Sequence, residues 1–443
     1  MSNTTSIQEA SNPGSPSLEN SALREKAASW GLDFHAAAKR LNKVVNRTPL
    51  AFNQALSRKY DCRVFLKRED LQVVRSYKLR GAYNMMVSLP ADQLAKGVVC
   101  ASAGNHAQGF AYSCHKLGVK GVVFMPIVTP RQKINQTRMF GEDNIEIVLI
   151  GDTFDDCNIA ARQYTQDNGM VFIPPFDDLR IIEGQGTVAV EILEDLPRDA
   201  QPVDYLFVPV GGGGLASGTG AFFKTYSPAT KVIGLEPEGA PSMLSAFRAG
   251  HPVTLDSIDR FVDGAAVKRV GEITYNICRE VLDDMHLVPE GKVCSTILRL
   301  YNEDAIVVEP AGALSIACLD DYAAAIKGKT VVCVVSGSNN DIDRMQEIKE
   351  RSLQYEGLKH YFLVTFTQRP GALREFLNHV LGPNDDITRF EYMQKHNKET
   401  GPALVGIELT AREDYQKLME NMALYNITYT ELNKDDTLFS YLV

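Results

Sequence analysis

Apolar and polar residues alternate in blocks along this chain, and the period of the blocks predicts its elements. In residues 33–45 the apolar positions Phe34, Ala37, Leu41, Val44 and Val45 recur at helical spacing. Arg47-Thr48-Pro49-Leu50 ends that helix as an extended turn, because the residue before a proline avoids the helical region. Residues 63–68 read as a strand. Short apolar runs follow at 97–101, 121–126, 145–150 and 171–176, with helix-period segments at 107–117, 130–140 and 153–167 between them. The pattern resumes at 205–210, 231–236, 265–267, 288–301 and 329–335. Buried strands alternating with helices of about ten to fifteen residues predict an α/β fold with a mostly parallel sheet covered on both faces. In such sheets ligands sit at the carboxyl ends of the strands.

From His360 the period changes. Strands at 361–367, 387–393, 403–409 and 427–432 enclose two helices, one entered through Arg369-Pro370-Gly371-Ala372-Leu373 and running to Leu381, the other at 412–424. That is βαββαβ, the ferredoxin-like α+β plan. The expected division is therefore a disordered tail at 1–30, an α/β unit at 31–344, a charged, helical linker at 345–359 and the small unit at 360–443.

Composition narrows the function. A net charge of −9 and a pI near 5.5 argue against nucleic acid as the main partner. No apolar run reaches the length of about eighteen residues that a membrane span needs. The first thirty residues, with Pro13-Gly14 and the acids Glu9, Glu19 and Glu25, fit neither a signal nor a transit peptide. Eight cysteines without a C-x-x-C pair suit a reducing cytoplasm, where they serve as small buried hydrophobes. The histidines form no ligand pair, so no metal is expected.

Candidate chemistry gathers at loop-to-helix junctions. Lys78, in Arg75-Ser76-Tyr77-Lys78-Leu79-Arg80-Gly81-Ala82, stands at a helix start, where the dipole and any burial lower an ammonium pKa and make the amine a nucleophile. Strand 97–101 breaks into Ser102-Ala103-Gly104-Asn105-His106, whose small residues let a carboxylate approach free helix N–H groups; capping is the structural alternative for Asn105 and His106. Strand 205–210 runs into Gly211-Gly212-Gly213-Gly214-Leu215, a nest that suits a dianionic phosphate. Glu236, about twenty residues beyond these glycines, raises a dinucleotide-binding alternative, but the Gly-x-Gly-x-x-x-x-Gly spacing departs from that fingerprint. Ser336 closes the last buried strand, placed to turn its hydroxyl into the ligand crevice.

Ser76-Tyr77-Lys78-Leu79-Arg80-Gly81-Ala82, Ser102-Ala103-Gly104-Asn105-His106-Ala107-Gln108-Gly109, the tetraglycine loop and Ser336-Gly337-Ser338-Asn339, in that order, resemble the fold-type II pyridoxal-phosphate enzymes, and within them the biosynthetic threonine deaminases. The resemblance covers roughly residues 33–443. It implies a tryptophan-synthase-β-like catalytic unit of two subdomains with parallel sheets, followed by an ACT-like regulatory domain that binds an amino-acid effector. Under it Lys78 carries pyridoxal 5'-phosphate through its amine and is the catalytic base. Tyr77, where many relatives have Phe, lies near the pyridine ring. Asn105 bonds the phenolic oxygen, Gly211, Gly212, Gly213, Gly214 and Leu215 hold the phosphate, and Ser336 faces the pyridine nitrogen. Ser102, Ala103, Gly104 and Asn105 grip the substrate carboxylate.

The implied activity is conversion of L-threonine to 2-oxobutanoate and ammonia, the first committed step of isoleucine biosynthesis. Isoleucine and valine are the implied regulators, in a cytoplasmic homo-oligomer, a dimer or tetramer. Serine/threonine dehydratases of the catabolic kind and serine racemases share the core motifs. Some bind a divalent cation through an acidic pair, but Ser242 stands where the second acid would follow Glu236. A nicotinamide dehydrogenase and an amino-acid sensor with a retired catalytic core are the readings of another class. Arg80 belongs to the motif without an evident chemical role.

Overall fold

The computed structural model describes residues 30–394 and 398–442; the expected disordered tail, apart from Trp30, lies outside the described residues. Two separate sheets carry the α/β part. The larger has the order Leu50–Phe52, Arg63–Arg68, Thr330–Val335, Tyr205–Pro209, Lys231–Pro237, Asp284–Val288. Only its first pairing is antiparallel. Strand Thr330–Val335 is buried at every position, which is why it reads as an unbroken apolar run. Its Cys333 faces Leu66 on one side and Phe207 on the other. The chain following these three strands therefore leaves from one edge of the sheet.

The smaller sheet is parallel throughout, in the order Ile145–Leu149, Gly121–Met125, Val98–Ala101, Val171–Phe172. Its last strand stops at Phe172 rather than Phe176. Pro174 and Pro175 have no N–H to give a ladder, and the chain there turns toward the other sheet. The first helix is likewise shorter than its apolar period, Phe34–Leu41, because Lys43 takes a left-handed φ of +68°.

Helix Leu179–Asp195 has no counterpart in the sequence reading. Its interior Gly184 and Gly186 weaken any helix prediction, yet in the fold they are contact points. A Cβ on Gly184 would strike the Arg80 carbonyl, and one on Gly186 the Phe34 ring and the Gly218 carbonyl. A Cβ on Gly218 would in turn strike the Ile182 carbonyl. Helices Lys78–Val87, Leu179–Asp195 and Gly214–Tyr226 thus touch backbone to backbone.

After a 3-10 turn at Ile342–Arg344, helix Met345–Tyr355 lies along Glu290–Asp304, where the hydroxyls of Ser295 and Ser352 sit 2.9 Å apart. The C-terminal unit is a four-stranded antiparallel sheet, ordered Asp386–Tyr392, Thr400–Glu408, Lys359–Thr367, Thr428–Glu431. Helices Ala372–His379 and Asp414–Leu424 complete the ferredoxin-like arrangement. A further short helix, Asp436–Leu442, follows the last strand.

Candidate active site

Lys78 is the first residue of its helix. Just before it, Arg75 adopts a left-handed φ of +58°, and the turn lays this segment against the end of strand Thr330–Val335. The Tyr77 N–H donates to the Ser336 carbonyl at 3.3 Å and the Ser338 N–H to the Arg75 carbonyl at 2.9 Å, with Ser76 bridged to Gly337. Two of the sequence motifs are joined there, Lys78 with Ser336.

The Lys78 Nζ donates to the Pro175 carbonyl at 2.9 Å. It lies 5.4 Å from the ring centre of Tyr77 and 6.0 Å from that of Phe176. The side chain keeps a partial opening to the cleft, but the protein packed around its nitrogen pulls the pKa from 10.5 down to about 8, while the Glu309 charge pulls back. Desolvation therefore makes this amine available as a neutral nucleophile near physiological pH.

The glycines after Val210 form a cradle whose walls exclude side chains. A Cβ on Gly211 would lie 3.0 Å from the Ala265 backbone, one on Gly212 would enter the Phe176 ring, and one on Gly214 would meet the Gln185 amide. Gly213, at the cap of helix Gly214–Tyr226, has a φ of +91°. Leu215 is buried, so only its backbone N–H is available to a ligand. Successive N–H groups at a helix start favour an anion. Gln185 leaves both its side-chain oxygen and nitrogen without a hydrogen bond. Substituting Gly213→Ala forces a left-handed non-glycine residue, at about 1–2 kcal/mol, against Met243 and Thr274. Pyridoxal phosphate titrated into that variant is expected to bind about tenfold more weakly; parental affinity would show that the nest does not hold the phosphate.

On the smaller unit Gly104 is the cap of helix Asn105–Leu117, and no side chain caps that helix. Asn105 and His106 are therefore occupied otherwise. Asn105 Nδ2 donates to Glu309 Oε1 at 2.7 Å, and Asn105 Oδ1 accepts from Asn339 Nδ2 at 2.7 Å. The Glu309 Oε2 accepts from the Asn339 N–H at 3.2 Å. His106 is buried against the Ile173 carbonyl at 2.9 Å, and desolvation lowers its pKa to about 3, so it is neutral. Gly109 lies against the backbone of Lys78 and Leu79. The Gly104 N–H meets the Ser102 hydroxyl at 3.2 Å, and nothing crowds the Gly104 Cα, which leaves the Ser102-Ala103-Gly104 turn open toward the cleft.

Glu309, Phe176 and Gln185 were not among the residues singled out from sequence, and Asn339 stood in a motif without a role of its own. Glu309 had one local sign, an acid directly before Pro310 at a helix start. Burial raises its pKa to about 7, with Asp263 pushing the same way and the Asn105 and Asn339 bonds opposing. Glu236, the acid behind both the dinucleotide and the cation alternatives, is fully buried and accepts the N–H groups of Met243 (2.6 Å) and Leu244 (2.9 Å) at the start of helix Ser242–Ala249. Among the described residues no cluster of His, Cys, Asp and Glu side chains could hold a metal.

Comparison with known proteins places this arrangement. Residues 41–337 match the family model described as pyridoxal-phosphate dependent enzyme, and residues 350–442 the C-terminal regulatory domain of threonine dehydratase. The biosynthetic L-threonine dehydratase IlvA of Bacillus subtilis is 59% identical, over 92% of this chain and 96% of its own. Its counterpart in Halalkalibacterium halodurans is 56% identical, over 93% and 98%. Among solved structures, processed threonine deaminase isoform 2 of Solanum lycopersicum superposes with a TM-score of 0.70 at 39% identity, over 74% of this chain and 94% of its own.

Proposed function

The chain belongs to the pyridoxal-phosphate-dependent enzymes, in the biosynthetic threonine dehydratase branch, and on that premise we propose that it converts L-threonine to 2-oxobutanoate and ammonia. The observation that carries the reading is the convergence on one cleft of a desolvated lysine amine, a side-chain-free glycine nest and the Asn105–Glu309–Asn339 cluster. These residues fit the cofactor. The nest would take its phosphate, Lys78 its aldehyde carbon, and Tyr77 and Phe176 would flank the ring.

When bound, pyridoxal phosphate supplies an electron-withdrawing ring that acidifies the substrate α-carbon. Lys78 would hold that group through its amine and, once the substrate amine has taken its place, would serve as the base for the α-proton. Asn105, pinned by Glu309 and Asn339, holds a fixed amide toward the cofactor's oxygen. The open turn at Ser102-Ala103-Gly104 orients the substrate carboxylate. Loss of the α-proton and the β-hydroxyl removes one water; the enamine released hydrolyses to 2-oxobutanoate and ammonia. Ser336 is buried just beyond the carboxyl end of strand Thr330–Val335, and its neutral hydroxyl, facing the ring nitrogen, would disfavour charge build-up on the ring and so favour elimination over racemisation.

The match of residues 350–442 to a regulatory domain supports an amino-acid effector there; isoleucine and valine, a homo-oligomeric assembly and a cytoplasmic location complete the proposal. No helix among the described residues is long and apolar enough to cross a membrane, and all eight cysteines are free and buried, as a reducing compartment allows. The test is release of 2-oxo acid from L-threonine and from L-serine, each with and without isoleucine and valine. Product from L-threonine that isoleucine suppresses is expected; no keto acid from either substrate would overturn the reading.

A further inference from the structure

Arg80 shares a turn with Lys78, has no exposed surface, and is held on two sides. Its Nε and Nη2 meet the two oxygens of Glu69 at 2.8 Å each. Its Nη1 and Nη2 meet those of Glu191 at 2.7 and 2.9 Å, with the Thr187 hydroxyl 3.2 Å from Nη1. Lys67, also fully buried, adds its ammonium to Glu191 at 2.5 Å and to the Thr48 carbonyl at 2.6 Å. Two cations and two anions make the cluster neutral, and Arg80 engages the carboxylates of both Glu69 and Glu191 through forks that fix angle as well as distance.

The three elements so joined are the ones that separate the two ends of the site. Glu69 lies at the carboxyl end of strand Arg63–Arg68, Arg80 in the first turn of the Lys78 helix, and Glu191 on helix Leu179–Asp195. That last helix touches the helix of the glycine nest backbone to backbone, at Gly186 and Gly218. Between the Lys78 helix and helix Leu179–Asp195 the contact at Gly184 sets how close they lie, and the doubly forked guanidinium fixes how they lie along one another.

We propose that Arg80 is a positioning residue which, through Glu69 and Glu191, fixes the separation between the Lys78 amine and the phosphate nest. The proposal rests on the reading that Lys78 and the nest hold opposite ends of one cofactor. Lysine at 80 keeps the charge and loses both forks; glutamine at 191 keeps the shape and loses the charge. Both Arg80→Lys and Glu191→Gln are expected to weaken pyridoxal-phosphate affinity about tenfold or more. They should also lower kcat about tenfold per borohydride-fixed cofactor, with KM for L-threonine within about twofold.

The control is Lys224→Met, which breaks the ion pair of the buried Lys224 with the exposed Asp283 at 2.6 Å, near the far end of the nest helix. It should lower the melting temperature and leave affinity and kcat per labelled site unchanged. If Arg80→Lys fails to fold, the isosteric Glu191→Gln carries the same comparison. Variants that lose melting temperature alone, as the control does, overturn the proposal. A parent protein that binds no cofactor overturns the underlying reading instead.

Discussion

Lys78→Met is expected to abolish turnover of L-threonine, by about 10³-fold or more, and at the same time to make the cofactor-free protein more stable. In the proposed reading the first effect follows from removing the group that both bonds the cofactor and moves the α-proton. The second follows from the cost of holding an ammonium where protein has replaced water. Between pH 8 and 10.5 the unfolded chain retains a proton at this lysine that the folded chain has already released. Stability therefore rises with pH through that window, and the full penalty stands below pH 8. The shift corresponds to at most about 3 kcal/mol, reduced by whatever water the open side of Lys78 admits. Methionine keeps the aliphatic stem and discards the charge. Denaturant midpoints of the two cofactor-free proteins at pH 7 and pH 10.5 check the claim: the variant should gain stability at the lower pH and little at the higher. No gain at pH 7 would mean that water in the cleft still solvates the ammonium.

Lys78 was legible in the sequence because its signal is local: a strand, a tight turn and a helix within about twenty residues, repeated at Ser102-Ala103-Gly104-Asn105 and at the glycines. Periodicity of two and of 3.6 likewise sufficed for the ferredoxin-like unit, whose strands are consecutive and mutually antiparallel. What stayed hidden depends on distant partners. Arg80 looks like a solvated residue beside a lysine, and only the carboxylates 11 and 111 positions away reveal it as buried. Glu309 meets Asn105 across 204 positions. Helix Leu179–Asp195 was lost for a physical reason: its glycines, penalised by intrinsic propensity, are placed for backbone contact that only the assembled fold supplies. Glu236 is the opposite case, since an acid at a strand end near a glycine loop has the look of a ligand group, which the glycine spacing and Ser242 already argued against, and it serves the N–H groups of the next helix.

Glu309→Gln should cost about 10- to 100-fold in kcat/KM at pH 8 and reshape the pH profile. The carboxylate faces two donors, the Asn105 amide and the Asn339 N–H. A glutamine offers one oxygen and one NH₂, so one of those donors is set against another, at about 1–3 kcal/mol in a buried site. Asn105 cannot turn to compensate, because its oxygen already accepts from Asn339. In the parent, protonation of Glu309 as pH falls through about 7 weakens the same two bonds, so activity should decline on that acid limb. The variant has no such group and should lack the limb. The loss of the charge also removes what supports the Lys78 ammonium, which should carry that pKa below 8. Stability moves in the opposite sense to activity. Between pH 4.5 and about 7 the folded parent binds a proton that the unfolded chain has lost, so the parent loses stability as pH rises through that window, whereas the variant's contribution stays flat. Profiles of kcat/KM with L-threonine, paired with melting temperatures from pH 5 to 9, test both. An acid limb that survives the substitution would assign that titration to another group and leave Glu309 a purely structural partner of Asn105.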